Sequence, residues 1–405
     1  MIWKKRTKQE INDIVFDALN ENGNYLEEDI IGLPASYLDS QVFSQDDAIL
    51  KNAPFLTTLV RNPNHIGCHT LGDSEHFFSG TQKIEKEVIR ICSESILKAD
   101  ENSCDGYVAS GGTEANIQAI WIYRNFFQLK NQAKNNQIGI ICGEDSHYSM
   151  MKASNLLNIP IFLVKRTNDE IVLQKEAIDN AIKEAKEEGV QHFICVLNMM
   201  TTMFGSVDSI ATFVDLFDKH SVHYKIHIDG AYGGFYYPFS NKESEFSFQN
   251  PAISSFTLDA HKMAQAPYGT GIFLIRKGLM HYATTAEASY VEGSDCTLIG
   301  SRSGANAISI WMILSTYGPH GWMEKIFILQ KRTDWLCEQL GENNIPFYRN
   351  PNSNIVTLKK EVISQEIAHK FGLIPDNHNE PNWFKIVIMD HVTIEKLERF
   401  LAAIL

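Results

Sequence analysis

Seven cysteines in 405 residues form no C-x-x-C pair. Cys68, Cys92, Cys104, Cys142, Cys195, Cys296 and Cys337 are scattered and odd in number, which argues against a disulfide framework and for reduced thiols in a cytosolic protein. Those inside apolar runs, such as Cys142 in IGIIC and Cys195 in FICVL, read as small core residues. No run approaches the roughly 20 apolar residues a membrane helix needs. The basic start Lys4-Lys5-Arg6 leads into a polar stretch instead of the apolar centre of a signal peptide, so a cytoplasmic location is expected. Beyond that start no basic cluster occurs, and 36 basic against 49 acidic residues give a formal charge of −13. That balance argues against nucleic acid or an anionic membrane as partner. No G-x-G-x-x-G follows a strand-like run and no G-x-x-x-x-G-K-[ST] occurs, so neither a nicotinamide site nor a nucleotide phosphate loop is supported. Internal repeats and low-complexity segments are also missing.

What is present is an ordinary globular composition, 44% hydrophobic and 21% charged, on a chain long enough for a large domain and a smaller one. Residues 1–60 read as an N-terminal arm, with Ile11, Ile14, Val15 and Leu19 at helical spacing. Over 61–300 short β-branched runs (106–109, 137–142, 161–164, 192–197, 224–228, 254–258) alternate with amphipathic stretches (114–127, 146–157, 174–188, 210–219). This predicts an α/β domain with a mostly parallel sheet and right-handed crossovers. Over 301–405 a long helix (305–315 leading into 322–340), strand-like runs at 345–348, 355–358 and 384–389, and a helix at 394–405 predict a small α+β domain.

Four windows carry chemistry. In SSFTLDAHKMAQAPYGTGIFLI, Lys262 follows the pair Asp259 and His261 between two β-runs, where an amine can be neutralised by bonding to an aldehyde cofactor; an exposed loop lysine is the plain alternative. In YKIHIDGAYGGFYYPF, Asp229 closes a strand, where open α/β sheets bind ligands, and can pair with a protonated pyridine nitrogen. Ala231 leaves flat space for such a ring. In SGGTEANIQAIW, a turn with Gly111 and Gly112 opens a helix whose free N–H groups suit a phosphate, with the Ser110 and Thr113 hydroxyls as further donors. A simple N-cap with Glu114 in the first turn would look the same. In EDSHYSMMKAS, His147 opens a helix and could stack on the ring. Together the windows point to pyridoxal phosphate.

SGGTEAN, SHYS, HIDGAYGG, DAHKM and GSRSGA, in that order, resemble the group II pyridoxal-phosphate-dependent amino-acid decarboxylases of fold type I, nearest the archaeal-type tyrosine/aspartate decarboxylases. The resemblance implies that Lys262 carries the cofactor aldimine, Asp229 meets the ring nitrogen and His147 stacks on the ring. It also implies Gly112 and Thr113 at the phosphate with His261 close by, and Thr202 of MMTTMFGSVD at the ring hydroxyl. Ser301 of GSRSG would reach a phosphate in the neighbouring subunit of a homodimer. Tyr290, in AEASYVEGSDC, falls where relatives carry a loop that completes the site. His65 and His69 in NPNHIGCHT are expected at its mouth as substrate contacts; no third ligand accompanies them, so no metal is expected. Many relatives have arginine where Lys385 stands in WFKIVIM, so the substrate α-carboxylate would be held by a lysine without the planar two-pronged grip. The expected reaction is decarboxylation of an L-amino acid to its amine. Aldol-type carbon–carbon cleavage, as in sphingosine-phosphate lyases, and a PLP-binding homologue without turnover are the alternatives.

Overall fold

Apolar β-branched runs closed by polar turns become the strands of a seven-stranded sheet. A computed structural model describes residues 9, 29–32, 39, 41–42, 79–166, 171–284 and 295–405. Helix α1 (Ser79–Arg90) leads to β1 (Cys104–Ala109), α2 (Gly112–Asn131), β2 (Ile138–Gly143), α3 (Ser149–Leu157), β3 (Ile161–Val164) and α4 (Lys175–Glu187). Then follow β4 (His192–Asn198), α5 (Ile210–His220), β5 (His223–Asp229), β6 (Ile253–Asp259) and β7 (Gly271–Arg276). The order is β1-β7-β6-β5-β4-β2-β3. Pairing is parallel except where β7 runs against β1 and β6.

The sheet is covered on both faces, which is why its strands are near-continuous apolar runs. β2 and β4 are buried along their whole lengths. Alternate residues serve different cores: Ile140, Cys142, Ile194 and Val196 pack with α2 and α3, whereas Ile141, Cys195 and Leu197 pack with α4 and α5. The expected α/β domain with a mostly parallel sheet is what forms. The strand-like run at 271–276 enters the sheet as the antiparallel β7. The helix expected over 146–157 starts only at Ser149, because the residues before it form a turn.

After the large sheet, α6 (Gly304–Glu342) breaks at Gly318 (φ 59°) and Pro319. Gly318 supplies the left-handed backbone and Pro319 restarts the helix. Ala307, Ile310 and Ile313, before the break, belong to the large sheet's core; Leu336 and Leu340 belong to that of the small sheet. That second sheet contains β8 (Phe347–Tyr348), β9 (Ile355–Lys359), β10 (Ile374–Pro375) and β11 (Trp383–Val387), with α7 (Gln365–Lys370) between β9 and β10 and α8 (Ile394–Ile404) at the end. Its order is β10-β11-β9-β8, antiparallel throughout. Around β11, Phe384, Ile386 and Ile388 face the small core, while Val387 and Met389 join the large one. This is the period-two alternation of a strand, and it turns Lys385 toward the large sheet. The helical spacing expected from residue 11 to 19 lies outside the described residues.

Candidate active site

Five strands of common direction, β1, β2, β4, β5 and β6, end on one edge of the large sheet. The windows singled out in the sequence follow directly: Gly111 to Thr113 after β1, His147 after β2, Thr202 after β4, Asp229 at the end of β5, and Asp259 to Lys262 after β6. Ligands of open α/β sheets bind along such an edge. Here it holds a cavity of about 350 Å³ lined by Gly111, Gly112, Thr113, His147, Thr202 and Asp229, and also by Ala231, His261 and Lys262.

The lysine sits against an acid. Lys262 Nζ is 3.2 Å from Asp259 Oδ2, and His261 Nε2 is 3.6 Å from the same oxygen. Burial pushes the His261 imidazole below its usual value, against the pull of Asp259. The glycine turn is close to this group: a Cβ on Gly112 would lie 2.8 Å from Asp259 Oδ2 and 3.3 Å from Ala231 Cβ, so any side chain there would press on Asp259. Ser110 also lines the cavity, but its hydroxyl proton is engaged by Glu114. It donates to Glu114 Oε2 at 2.6 Å, and its backbone N–H donates to the same oxygen at 2.7 Å, so this acid closes the turn instead.

Asp229 is buried, with Oδ1 accepting the Ala231 N–H at 3.1 Å and Oδ2 accepting an Asn116 amide N–H at 2.9 Å. His147, half-buried, has its Nδ1 2.8 Å from the Ser149 hydroxyl. Burial lowers its pKa, partly opposed by the Asp229 charge. After β4, Met200 adopts φ 72°, uncommon for its type, in a turn closed by Thr201 and Ser206. The turn presents the Thr202 carbonyl, which accepts from Lys385 Nζ at 2.9 Å. Lys385 is buried, and no carboxylate among the described residues forms an ion pair with it. Burial, and secondarily the charge of Lys262, bring its pKa down to about 8.

Ser301 is exposed and is not among the residues lining this cavity. His65, His69 and Tyr290 lie outside the described residues. Among the described residues no group of His, Cys, Asp or Glu could hold a metal ion, and no helix is long and apolar enough to cross a membrane. The sequence reading did not mark Asn116, Ser149 or His227 as site residues. Asn116 and Ser149 lie in mixed polar stretches (TEANIQ, SHYSMM), and only the i, i+2 spacing of His227 and Asp229 hints that these two share a face.

A lysine paired with an acid, a carboxylate at a strand end, a glycine-tight helix N-terminus and two buried polar atoms without partners among the described residues, Asp259 Oδ1 and His261 Nδ1, share one edge. This donor set fits pyridoxal phosphate, and the fold and site define a PLP-dependent enzyme of fold type I. A family model for the pyridoxal-dependent decarboxylase conserved domain matches residues 83–354. The chain is 48% identical over 396 residues to a tryptophan decarboxylase of Clostridium sporogenes, covering 98% of this chain and 95% of that one. It is 30% identical over 352 residues to a probable L-tyrosine/L-aspartate decarboxylase of Methanococcus maripaludis, covering 82% and 86%. The structure of an L-methionine decarboxylase from Streptomyces sp. 590 superposes with a TM-score of 0.76 at 20% identity, over 98% of this chain and 94% of that one. The chain therefore belongs to the pyridoxal-dependent decarboxylase family. It is a PLP-dependent amino-acid decarboxylase, and neither the carbon–carbon lyase nor the inactive-homologue alternative is favoured.

Proposed function

We propose that this decarboxylase acts on an aromatic L-amino acid, L-tryptophan foremost, and releases the corresponding amine and carbon dioxide. The observation that carries this substrate is the 48% identity, over nearly the whole chain, to a tryptophan decarboxylase. When bound, pyridoxal phosphate supplies an aldehyde for the substrate amine and a ring that accepts the electron pair of the breaking Cα–carboxylate bond. Lys262 would hold the cofactor covalently through Nζ. Asp229 would keep its ring nitrogen protonated, with His147 on one ring face and Ala231 against the other. Gly111, Gly112, Thr113 and His261 would hold the phosphate, and Thr202 would meet the ring hydroxyl. Lys385 would bind the substrate α-carboxylate and so orient the bond to be broken. His65 and His69 would be substrate contacts at the mouth of the site, and Tyr290 would join the catalytic set.

The same reading divides the chain into an arm (1–60), a cofactor-binding domain (61–300) and a smaller domain (301–405), paired as a homodimer in the cytoplasm. Ser301 of one subunit would serve the phosphate of the other. The test is to incubate the cofactor-loaded protein with each common amino acid and to measure amine and carbon dioxide. Tryptamine should be the main product. Turnover of an acidic or aliphatic amino acid, with none of tryptophan, would overturn the substrate assignment while leaving the decarboxylase in place.

A further inference from the structure

Behind Asp229 lies a chain of buried polar side chains that the roles above leave unused. Asn116 and Tyr123 come from α2, Ser149 from the start of α3, His227 from β5 and Ser255 from β6; all are buried. Their positions explain the meeting. His227 and Asp229 are two apart on one strand and share a face. His227 is the cross-strand partner of Ser255, and Asn116 and Tyr123 are seven apart, two turns along one face of α2. Asn116 Nδ2 lies 2.9 Å from Asp229 Oδ2 and 3.0 Å from Ser149 Oγ, while its Oδ1 lies 2.9 Å from His227 Nε2. His227 Nδ1 is 2.6 Å from Ser255 Oγ, to which the Tyr123 hydroxyl also bonds. Ser149 Oγ and the Ser149 backbone N–H both reach His147 Nδ1, at 2.8 and 3.3 Å.

One proton arrangement satisfies all of these contacts. A carboxylate only accepts, so the amide nitrogen of Asn116 must face Asp229 and its carbonyl must face His227. His227 therefore carries its proton on Nε2, and its Nδ1 accepts from Ser255, which accepts from Tyr123. The second Asn116 N–H goes to Ser149, whose hydroxyl donates to His147 Nδ1, leaving the His147 proton on Nε2. Neutral imidazoles are what burial favours: His227 is pushed down to about 4 against the pull of Asp229, and His147 is pushed below its usual value.

We propose that Asn116 is a positioning residue for the reaction: it holds Asp229 aimed at the cofactor's ring nitrogen and, through Ser149, fixes which nitrogen of His147 bears the proton. With Ala231 N–H on the other oxygen, the Asp229 carboxylate can turn only by breaking two bonds. This rests on the assignment of Asp229 to the ring nitrogen, so the experiment tests the two together. Wild type, Asn116→Leu, Asn116→Ser and Asp229→Asn are loaded with cofactor labelled with ¹⁵N in the ring, and the ring nitrogen is followed by NMR. Alongside, cofactor affinity is measured by titrating the cofactor-free protein. The wild type should show a pyridinium signal, and both Asp229→Asn and Asn116→Leu should shift it toward neutral pyridine. For Asn116→Leu kcat should fall about 10- to 150-fold, the loss expected for a hydrogen bond to a charged group, with substrate KM little changed. If Asp229→Asn leaves the signal in place, the Asp229 assignment fails. If Asp229→Asn moves it and Asn116→Leu does not, the positioning role fails. Should Asn116→Leu not fold, Asn116→Ser, which loses both amide donors without added volume, decides under the same outcomes.

Discussion

An ammonium buried without a carboxylate partner is costly, and Lys385 has none among the described residues. Its Nζ rests on the neutral Thr202 carbonyl, and burial brings its pKa down to about 8. A substrate carboxylate is the missing counter-charge in the proposed reading, and this gives a pH dependence of defined sign. The charged form is the one that binds, so kcat/KM should fall as pH rises through about 8. Burial, the larger cause of the shift, remains when the amine of Lys262 is engaged. Lys385→Arg stays charged throughout, so its kcat/KM should hold across that range. Lys385→Met should lose about 10- to 150-fold at neutral pH. For stability the sign is opposite. The unfolded lysine keeps its proton to higher pH, so the cofactor-free protein should gain stability as pH rises from about 8 toward the ordinary lysine value of 10.5. A pH profile identical in wild type and Lys385→Arg would remove Lys385 from carboxylate binding.

The turn from β1 into α2 shows how closely an element's end can be fitted. Asp259, at the end of β6, occupies the space where a Cβ on Gly112 would be, whereas a Cβ on Gly111 would meet only His261 Cε1, at 3.8 Å. Overpacking of the first kind costs roughly 1–3 kcal/mol. Gly112→Ala should therefore lower the melting temperature of the cofactor-free protein and weaken cofactor binding. Gly111→Ala, on extended backbone that any residue adopts, should leave the melting temperature nearly unchanged. Equal melting of the two variants would mean that Asp259 gives way. Sequence made most elements legible because sheet burial demands uninterrupted apolar runs: the run at 161–164 is β3 to the residue, and that at 192–197 is β4 less Asn198. The alternation around Lys385 was legible for the same reason. Sequence did not mark α1, whose apolar positions are sparse (SGTQKIEKEVIR). Nor could it assign Ser110 to Glu114 rather than to a phosphate, since a capping acid and an anion site share one pattern. Asn116 and His227 stayed hidden for a deeper reason. Their partners come from other strands and helices, and only the crossovers bring them together.

At the scale of the whole molecule, several large side chains near the site windows in sequence are exposed. Tyr268, its ring tilted against His261, is 69% exposed, and Tyr148, beside His147, is 59% exposed. Leu298 and Ile299, just before the exposed Ser301, are 41% and 43% exposed. Large exposed apolar side chains, where they form a patch, mark an interface more often than free surface. In the homodimer proposed above, Ser301 would reach the other subunit's glycine turn. A subunit-mixing experiment tests this. Lys262→Ala and Ser301→Asp subunits, each inactive alone, are mixed, dissociated and reassociated. If Ser301 serves the neighbouring site, each mixed dimer places both lesions in one site and spares the other. Random pairing makes half of the dimers mixed, and half of their sites are intact, so about a quarter of wild-type activity should return. If Ser301 served its own subunit's cofactor, every site of a mixed dimer would carry one lesion and no activity would return. Mixed dimers, verified by mass, that remain inactive would thus detach Ser301 from the shared site even if the protein is dimeric.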